Sequence, residues 1–215
     1  MSDGVKPANQ KRSRETRDKL VRALEAELKS RAFDQISVAD IAKRAGLSVG
    51  SVYRRFENKD AFIPVIFEIY MERLLAFNTD PKTRVKVSPE KGLRETLREI
   101  ARSAWSFLVQ EAHIMRATHL YARLRPDLVG GDWDKLLEQS VSGFHQALDV
   151  FEGEVKRPVN RETAEIVTYL FNTIFVEKGL YPEDGPAAAL TVEGERFADE
   201  MADLVFGYLI LEPLS

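Results

Sequence analysis

Between Ser37 and Phe62 the chain reads SVADIAKRAGLSVGSVYRRFENKDAF, two short helix patterns separated by one glycine. Ser37 stands where a hydroxyl can accept from the first free N–H groups of a helix, and Asp40, three residues on, is the acid of a capping box. Val38, Ile41, Ala42 and Ala45 recur at helical spacing. Gly46 falls where the chain must leave that helix with positive φ, which glycine does without a Cβ penalty. Leu47 can fill the space between the helices, and Ser48 can cap a second helix over 49–56. Val52 and Phe56, at i and i+4, turn inward, leaving Ser51, Arg54 and Arg55 outward with Tyr53 at the rim. Two helices so spaced are a helix-turn-helix, whose second helix fits the major groove of DNA. A helical hairpin with a solvated charged face would carry the same residues.

Charge divides along the chain in the same sense. Residues 1–60 hold 14 Lys/Arg against 9 Asp/Glu (+5), and the other 155 hold 17 against 25 (−8), which together give the net −3. A basic end on an acidic body is what a protein needs when one end meets nucleic acid, although basic tails also solubilise. No apolar run approaches the roughly 18 residues of a membrane span. The polar start MSDGVKPANQKRSRETRDKL lacks the apolar segment of a secretory signal. With no cysteine there is neither a disulfide framework nor a thiolate metal site, which is compatible with a cytoplasmic location.

The remaining periodicity is helical throughout, with no stretch of period-two alternation long enough for a sheet, and the fold class expected is all-α. Residues 1–12 read as a flexible basic tail (Lys6, Lys11 and Arg12, continued by Arg14 and Arg17) able to follow a phosphate backbone or simply to be solvated. A DNA-binding domain over 13–57 follows, with a first helix from about Ser13 to Ala32. A connecting helix over 58–77 contains Pro64, which would remove the bond to the Asp60 carbonyl, either kinking the first turns as a hinge or standing as a tolerated irregularity near a helix start. The loop at 78–88 marks the boundary of a helical domain over 78–215. In it, Ser88-Pro89 is a helix start, Asn160 caps a helix to about Lys178 with Gly179 at its end, and the last helix spans 191–211.

No catalytic constellation emerges. His113 and His119 lie six residues apart, roughly 600° around a helix, so they share no face, and His145 is remote from both. There is no H-E-x-x-H pair, no phosphate-cradling glycine loop and no G-x-S-x-G. Neither an enzyme nor a metal or other cofactor is expected.

The 37–62 segment resembles the signature of the TetR family of bacterial transcription regulators through Ile41-Ala42, Ala45-Gly46, Ser48, Gly50, Tyr53, Phe56 and Lys59. Arg54-Arg55 stand where that family often has histidine between its tyrosine and phenylalanine. The resemblance implies a three-helix DNA-binding domain with a helix-turn-helix, followed by a helical ligand-binding and dimerisation domain. It implies a cytoplasmic regulator, repression being the family's usual mode, that binds a palindromic double-stranded DNA operator as a homodimer and is released by a small-molecule effector. Control by a protein partner, or by no ligand, is the alternative. Candidate DNA contacts are Ser37, Ser48, Gly50, Ser51, Tyr53, Arg54, Arg55 and Lys59. Of these, Tyr53 and Lys59 match positions that usually touch phosphate in the family, and Ser51 and Arg55 are candidates for base edges. Candidate effector contacts are Trp105, Phe107, His113, Met115, Arg116, His119, Tyr121, Phe144 and Tyr169, each of which could equally be packed core or solvated surface. The paired C-terminal helices of the family implicate Val167, Phe171, Ile174, Phe175 and Phe197, Met201, Leu204, Val205, Tyr208 in a dimer interface, or alternatively in monomer core.

Overall fold

The computed structural model describes residues 7–129 and 132–212, with side chains over 13–129 and 133–212. The helices are α1 (Pro7–Leu28), α2 (Val38–Arg44), α3 (Val49–Tyr53), α4 (Ile63–Thr79), α5 (Leu93–Gln110), α6 (Ala112–Leu124), α7 (Pro126–Val129), α8 (Asp132–Asp149), α9 (Arg161–Leu180), α10 (Gly185–Ala188) and α11 (Gly194–Ile210). Three 3-10 turns intervene, and no strand occurs among the described residues, so the fold is all-α. No helix among them is long and apolar enough to cross a membrane.

The helices sort into two units, residues up to 72 with 113–129, and 73–112 with 130 onward. The first is built on the stripe of Leu20, Leu24 and Leu28, one face of α1, which is closed by Ile41 and Ala42 of α2, Val52 of α3 and Ile63 and Ile66 of α4. α6 belongs to this unit. Ile114, Met115, Ala117 and Thr118 are buried in this unit, and a fully buried Ile alone contributes about 2 kcal/mol. Tyr121 meets Phe33 edge-on at 5.3 Å. Arg125 pairs with Asp60 and Asp127.

The second unit packs α5 against α11 and α9, and α8 against α9. An aromatic cluster fills it: Trp105 lies 4.8 Å from Phe197 and 5.7 Å from Phe175, and Phe144 stacks on Phe171 at 5.4 Å. An ion-pair ladder fastens α5 to α11. Arg94 and Arg98 both donate to Asp203, and Arg102 donates to Asp199. The two guanidiniums hold the Asp203 carboxyl well below the usual carboxylate range.

Several local expectations change. α1 begins at Pro7, six residues before Ser13, because proline at a first helical turn sacrifices no bond. Residues 1–6 of the expected tail lie outside the described residues. Asn58 caps a 3-10 turn over Lys59–Phe62, and α4 starts only at Ile63, so Pro64 sits in its first turn where its missing N–H costs nothing. Ser88-Pro89 opens a 3-10 turn, which Gly92 ends at φ 76°. α5 then begins at Leu93, whose N–H donates to the Glu154 carboxylate 61 residues away. Gly179 lies inside α9, where Leu108 occupies the space a Cβ would take.

Candidate nucleic-acid interface

Ser37 and Asp40 form the full capping box on α2. The Asp40 N–H donates to Ser37 Oγ at 3.1 Å, and the Ser37 N–H donates to Asp40 Oδ2 at 2.9 Å. The Ser37 hydroxyl and backbone, then the nearby Arg31, hold the Asp40 carboxyl below its ordinary range. At the other end Gly46 takes φ 68°. Its N–H donates to Lys43 O and the Leu47 N–H to Ala42 O, the two bonds of a Schellman motif. The chain reverses there and delivers Ser48, whose Oγ accepts from the Ser51 N–H at 3.2 Å, as the cap of α3.

α3 is held from below by Val52, which is fully buried, and by Phe56, whose ring stacks on Phe62 at 4.0 Å. Tyr53, Arg54 and Arg55 are exposed, as their spacing implied, together with Val49 and Gly50, and Ser51 is half-buried. Arg54 Nη2 donates to Ser51 Oγ at 2.8 Å, and the two serine oxygens lie 2.9 Å apart. Ser48, Ser51 and Arg54 are therefore one hydrogen-bonded row on the outer face. It offers hydroxyls and a fork of N–H donors to phosphate or base edges. Gly50 has nothing within 4 Å of the place a Cβ would occupy, so a groove wall can approach the backbone there.

Three of the expected contacts have partners within the domain. Lys59 Nζ donates to the Asp34 carbonyl at 2.8 Å and lies 4.9 Å over the Phe33 ring, pinning the 33–35 turn instead of facing outward. Arg55 turns away from the α3 row toward α1: its Nη2 is 3.5 Å from Ser13 Oγ, and it lines a cleft of about 280 Å³ with Ser13, Arg14, Arg17 and Phe56. Ser37 is committed to its cap. Arg14 and Arg17, basic residues that continue the N-terminal tail, share a helix face through their i, i+3 spacing.

A buried acid holds the motif to α1. Glu27, 5% exposed, accepts from Arg31 and from Arg44 at the end of α2. Those hydrogen bonds outweigh burial and keep its carboxyl below the usual range. His113 Nε2 of α6 stands 3.7 Å from Glu25 Oε1 of α1. Burial, with the Arg123 charge second, holds the His119 imidazole down at about 4, so it is neutral at pH 7.

The nine candidate effector residues divide between the two units. His113, Met115, Arg116, His119 and Tyr121 belong to the first unit, and Trp105, Phe107, Phe144 and Tyr169 to the second. Tyr169 is 69% exposed, whereas Phe107 tilts on Phe77 at 4.6 Å and the other two rings belong to the aromatic cluster. Of the expected dimer contacts, Val167, Phe171, Phe175, Phe197 and Val205 are buried within the second unit, because α5 and α8 already cover those faces. Ile174, Met201 and Tyr208 are half-buried, and Leu204 is exposed. No group of three His, Cys, Asp or Glu among the described residues is placed to hold a metal ion.

A family model described as bacterial regulatory proteins, tetR family, matches residues 20–64, the span from α1 through the start of α4. Comparison with curated proteins gave no match. Solved structures give the fold. A transcriptional regulator from Rhodococcus sp. Rha1 is 22% identical over 91% of this chain and 98% of its own, with TM-score 0.61. PfmR, a TetR family transcriptional regulator from Thermus thermophilus, is 17% identical over 87% and 97%, with TM-score 0.62. NalD, the secondary repressor of the MexAB-OprM multidrug efflux pump in Pseudomonas aeruginosa, is 17% identical over 93% and 98%, with TM-score 0.57. The chain thus carries the N-terminal domain of the tetR family of bacterial regulatory proteins, within a fold shared with that family's solved members.

Proposed function

We propose that this chain is a cytoplasmic transcriptional repressor that binds a palindromic operator as a homodimer and is released by a small-molecule effector. The observation that carries the reading is the α3 surface: a capped helix backed by buried Val52 and Phe56, with Gly50, Tyr53 and the Ser48–Ser51–Arg54 row outward. In such a motif the second helix enters the major groove, and an arginine on its outer face reads guanine through a bidentate pair. Two-fold pairing of the chain would set two such helices about one DNA turn apart.

The helix faces left open suit that pairing. Met201, Leu204 and Tyr208 share one side of α11 at i, i+3 and i+7, and Ile166 and Tyr169 share one side of α9. Release follows from linkage: an effector that binds the DNA-incompatible arrangement more tightly shifts the population toward it, and a hundredfold relief needs about 2.7 kcal/mol of differential affinity. The ring-on-ring packing of Trp105, Phe144 and Phe175 favours the second reading, a regulator controlled by a protein partner or by no ligand. A melting shift with a small molecule supports the first reading; its absence across a broad set supports the second.

Replacing Arg54 by alanine tests the α3 assignment. Operator affinity should fall by about 1–3 kcal/mol, with relaxed preference at one base pair. Unchanged affinity and preference by fluorescence anisotropy would remove Arg54 from the interface.

A further inference from the structure

We propose that the cleft between α1 and the end of the recognition segment is a second seat for a DNA backbone phosphate, and that Glu68 of α4 is its displaceable internal counterion. This rests on the DNA-binding reading above and deepens it. Ser13, Arg14, Arg17, Arg55 and Phe56 line the cleft, whose volume is about 280 Å³. All but Phe56 are exposed, so an anion can reach the three guanidiniums without unfolding anything.

The charges around this cleft are unbalanced. Three arginines converge on one space, and each adds repulsion that an anion would relieve. Among the described residues Arg55 makes no ion pair and reaches only the Ser13 hydroxyl for a hydrogen bond, and Arg14 makes no ion pair. Among the described residues Arg17 alone of the three pairs with a carboxylate, that of Glu68 on α4. Both members of that pair are about half exposed, so the pair is weak and exchangeable. A phosphate diester presents two anionic oxygens of the kind guanidinium forks bind in pairs, and it can replace Glu68 on Arg17 while engaging Arg14 and Arg55. The seat contacts backbone and carries no sequence information; it adds affinity and fixes how α3 is oriented.

Glu68 therefore competes with DNA. Removing its charge frees Arg17 and raises affinity, whereas removing the arginines lowers affinity and the number of counterions released. The sign for Glu68 separates this seat from a general basic surface. There, a carboxylate that merely orders Arg17 would help binding, and its loss would weaken it.

The test uses the full chain, a fluorescein-labelled 20-base-pair duplex of random sequence, and anisotropy from 50 to 200 mM salt. R14Q and R17Q should each reduce the slope of log affinity against log salt by about 0.9. The double variant should then lose about 12-fold less affinity than wild type across that fourfold salt range. E68Q should bind about two- to fivefold more tightly at the low-salt end. Melting temperatures equal to wild type confirm that these exposed substitutions leave the domain folded. If R14Q and R17Q keep the wild-type slope while Arg54→Ala weakens binding, the phosphate seat is refuted and the DNA reading stands. If E68Q binds equally or more weakly, Glu68 is not a competitor. If wild type fails to bind the duplex at 50 mM salt, the DNA-binding reading itself falls.

Discussion

Replacing Gly179 by alanine sets two opposing effects against each other, and the structure fixes which wins. In an isolated helix the change stabilises by about 1 kcal/mol, because glycine is the poorer helix former. In α9 a Cβ at that position would lie 1.8 Å from Leu108 Cδ2, 3.1 Å from Leu108 Cγ and 3.3 Å from Trp105 Cζ3. Leu108 is 3% exposed, so it has little space to move into, and the half-buried Trp105 packs on Phe175 and Phe197. Overpacking of this kind costs about 1–3 kcal/mol, and a 1.8 Å approach belongs at the upper end. The net loss is about 2 kcal/mol, which at this chain length lowers the midpoint by about 4–8 °C. Leu108→Ala alone should cost about 2–5 kcal/mol by leaving a cavity. Added to Gly179→Ala, it removes the clashing atoms, so the double variant should be more stable than the two single losses predict by at least about 1 kcal/mol. Thermal and urea unfolding of the four proteins measure this cycle. A Gly179→Ala protein that melts above wild type, or additive losses, would refute the close packing of α5 on α9.

Other perturbations separate strain, binding and protonation. Gly46→Ala should destabilise by about 1–2 kcal/mol through the left-handed backbone alone, because no atom lies within 4 Å of the added Cβ, and urea unfolding reads it directly. Gly50→Ala, at ordinary φ and in open space, should leave stability equal or slightly raised while weakening operator binding measured by anisotropy. His119, held down at about 4 from 6.5, stays neutral in the folded chain and binds more protons once unfolded. Its contribution is complete above pH 6.5 and disappears as pH falls toward 4, at most about 3 kcal/mol, and His119→Gln should flatten the stability profile over that window. Leu204→Glu, placing a charge on the exposed face of α11, should lower the sedimentation mass from dimer to monomer at micromolar concentration without lowering helicity.

What could be read from the chain was whatever is decided within a few residues. The caps at Ser37, Ser48 and Asn160, the reversal at Gly46 and the inward pair Val52 and Phe56 each depend on neighbours three to five positions away, and each stands as their spacing implied. Features decided over long separations were invisible. Lys59 matches a family position that usually touches phosphate, and its bond to the Asp34 carbonyl 25 residues earlier leaves no mark in the local pattern. The Glu154 carboxylate completes the start of α5 from 61 residues away, so Ser88-Pro89 could not be recognised as a mere preceding turn. Gly179 looked like a helix terminus because glycine usually is one; its actual role depends on Leu108 across the helix interface. α6 carries a clean amphipathic pattern, but periodicity says only that a face is buried, not which partner buries it.

The central claim is that a two-fold pair of this chain reads DNA through the α3 face. Selecting bound sequences from a pool of random duplexes with the full-length protein tests it most directly. The account predicts enrichment of one palindrome with half-sites about one helical turn apart, lost when Arg54 and Tyr53 are both replaced by alanine. No enrichment at low salt, or the same palindrome recovered by the double variant, would contradict it.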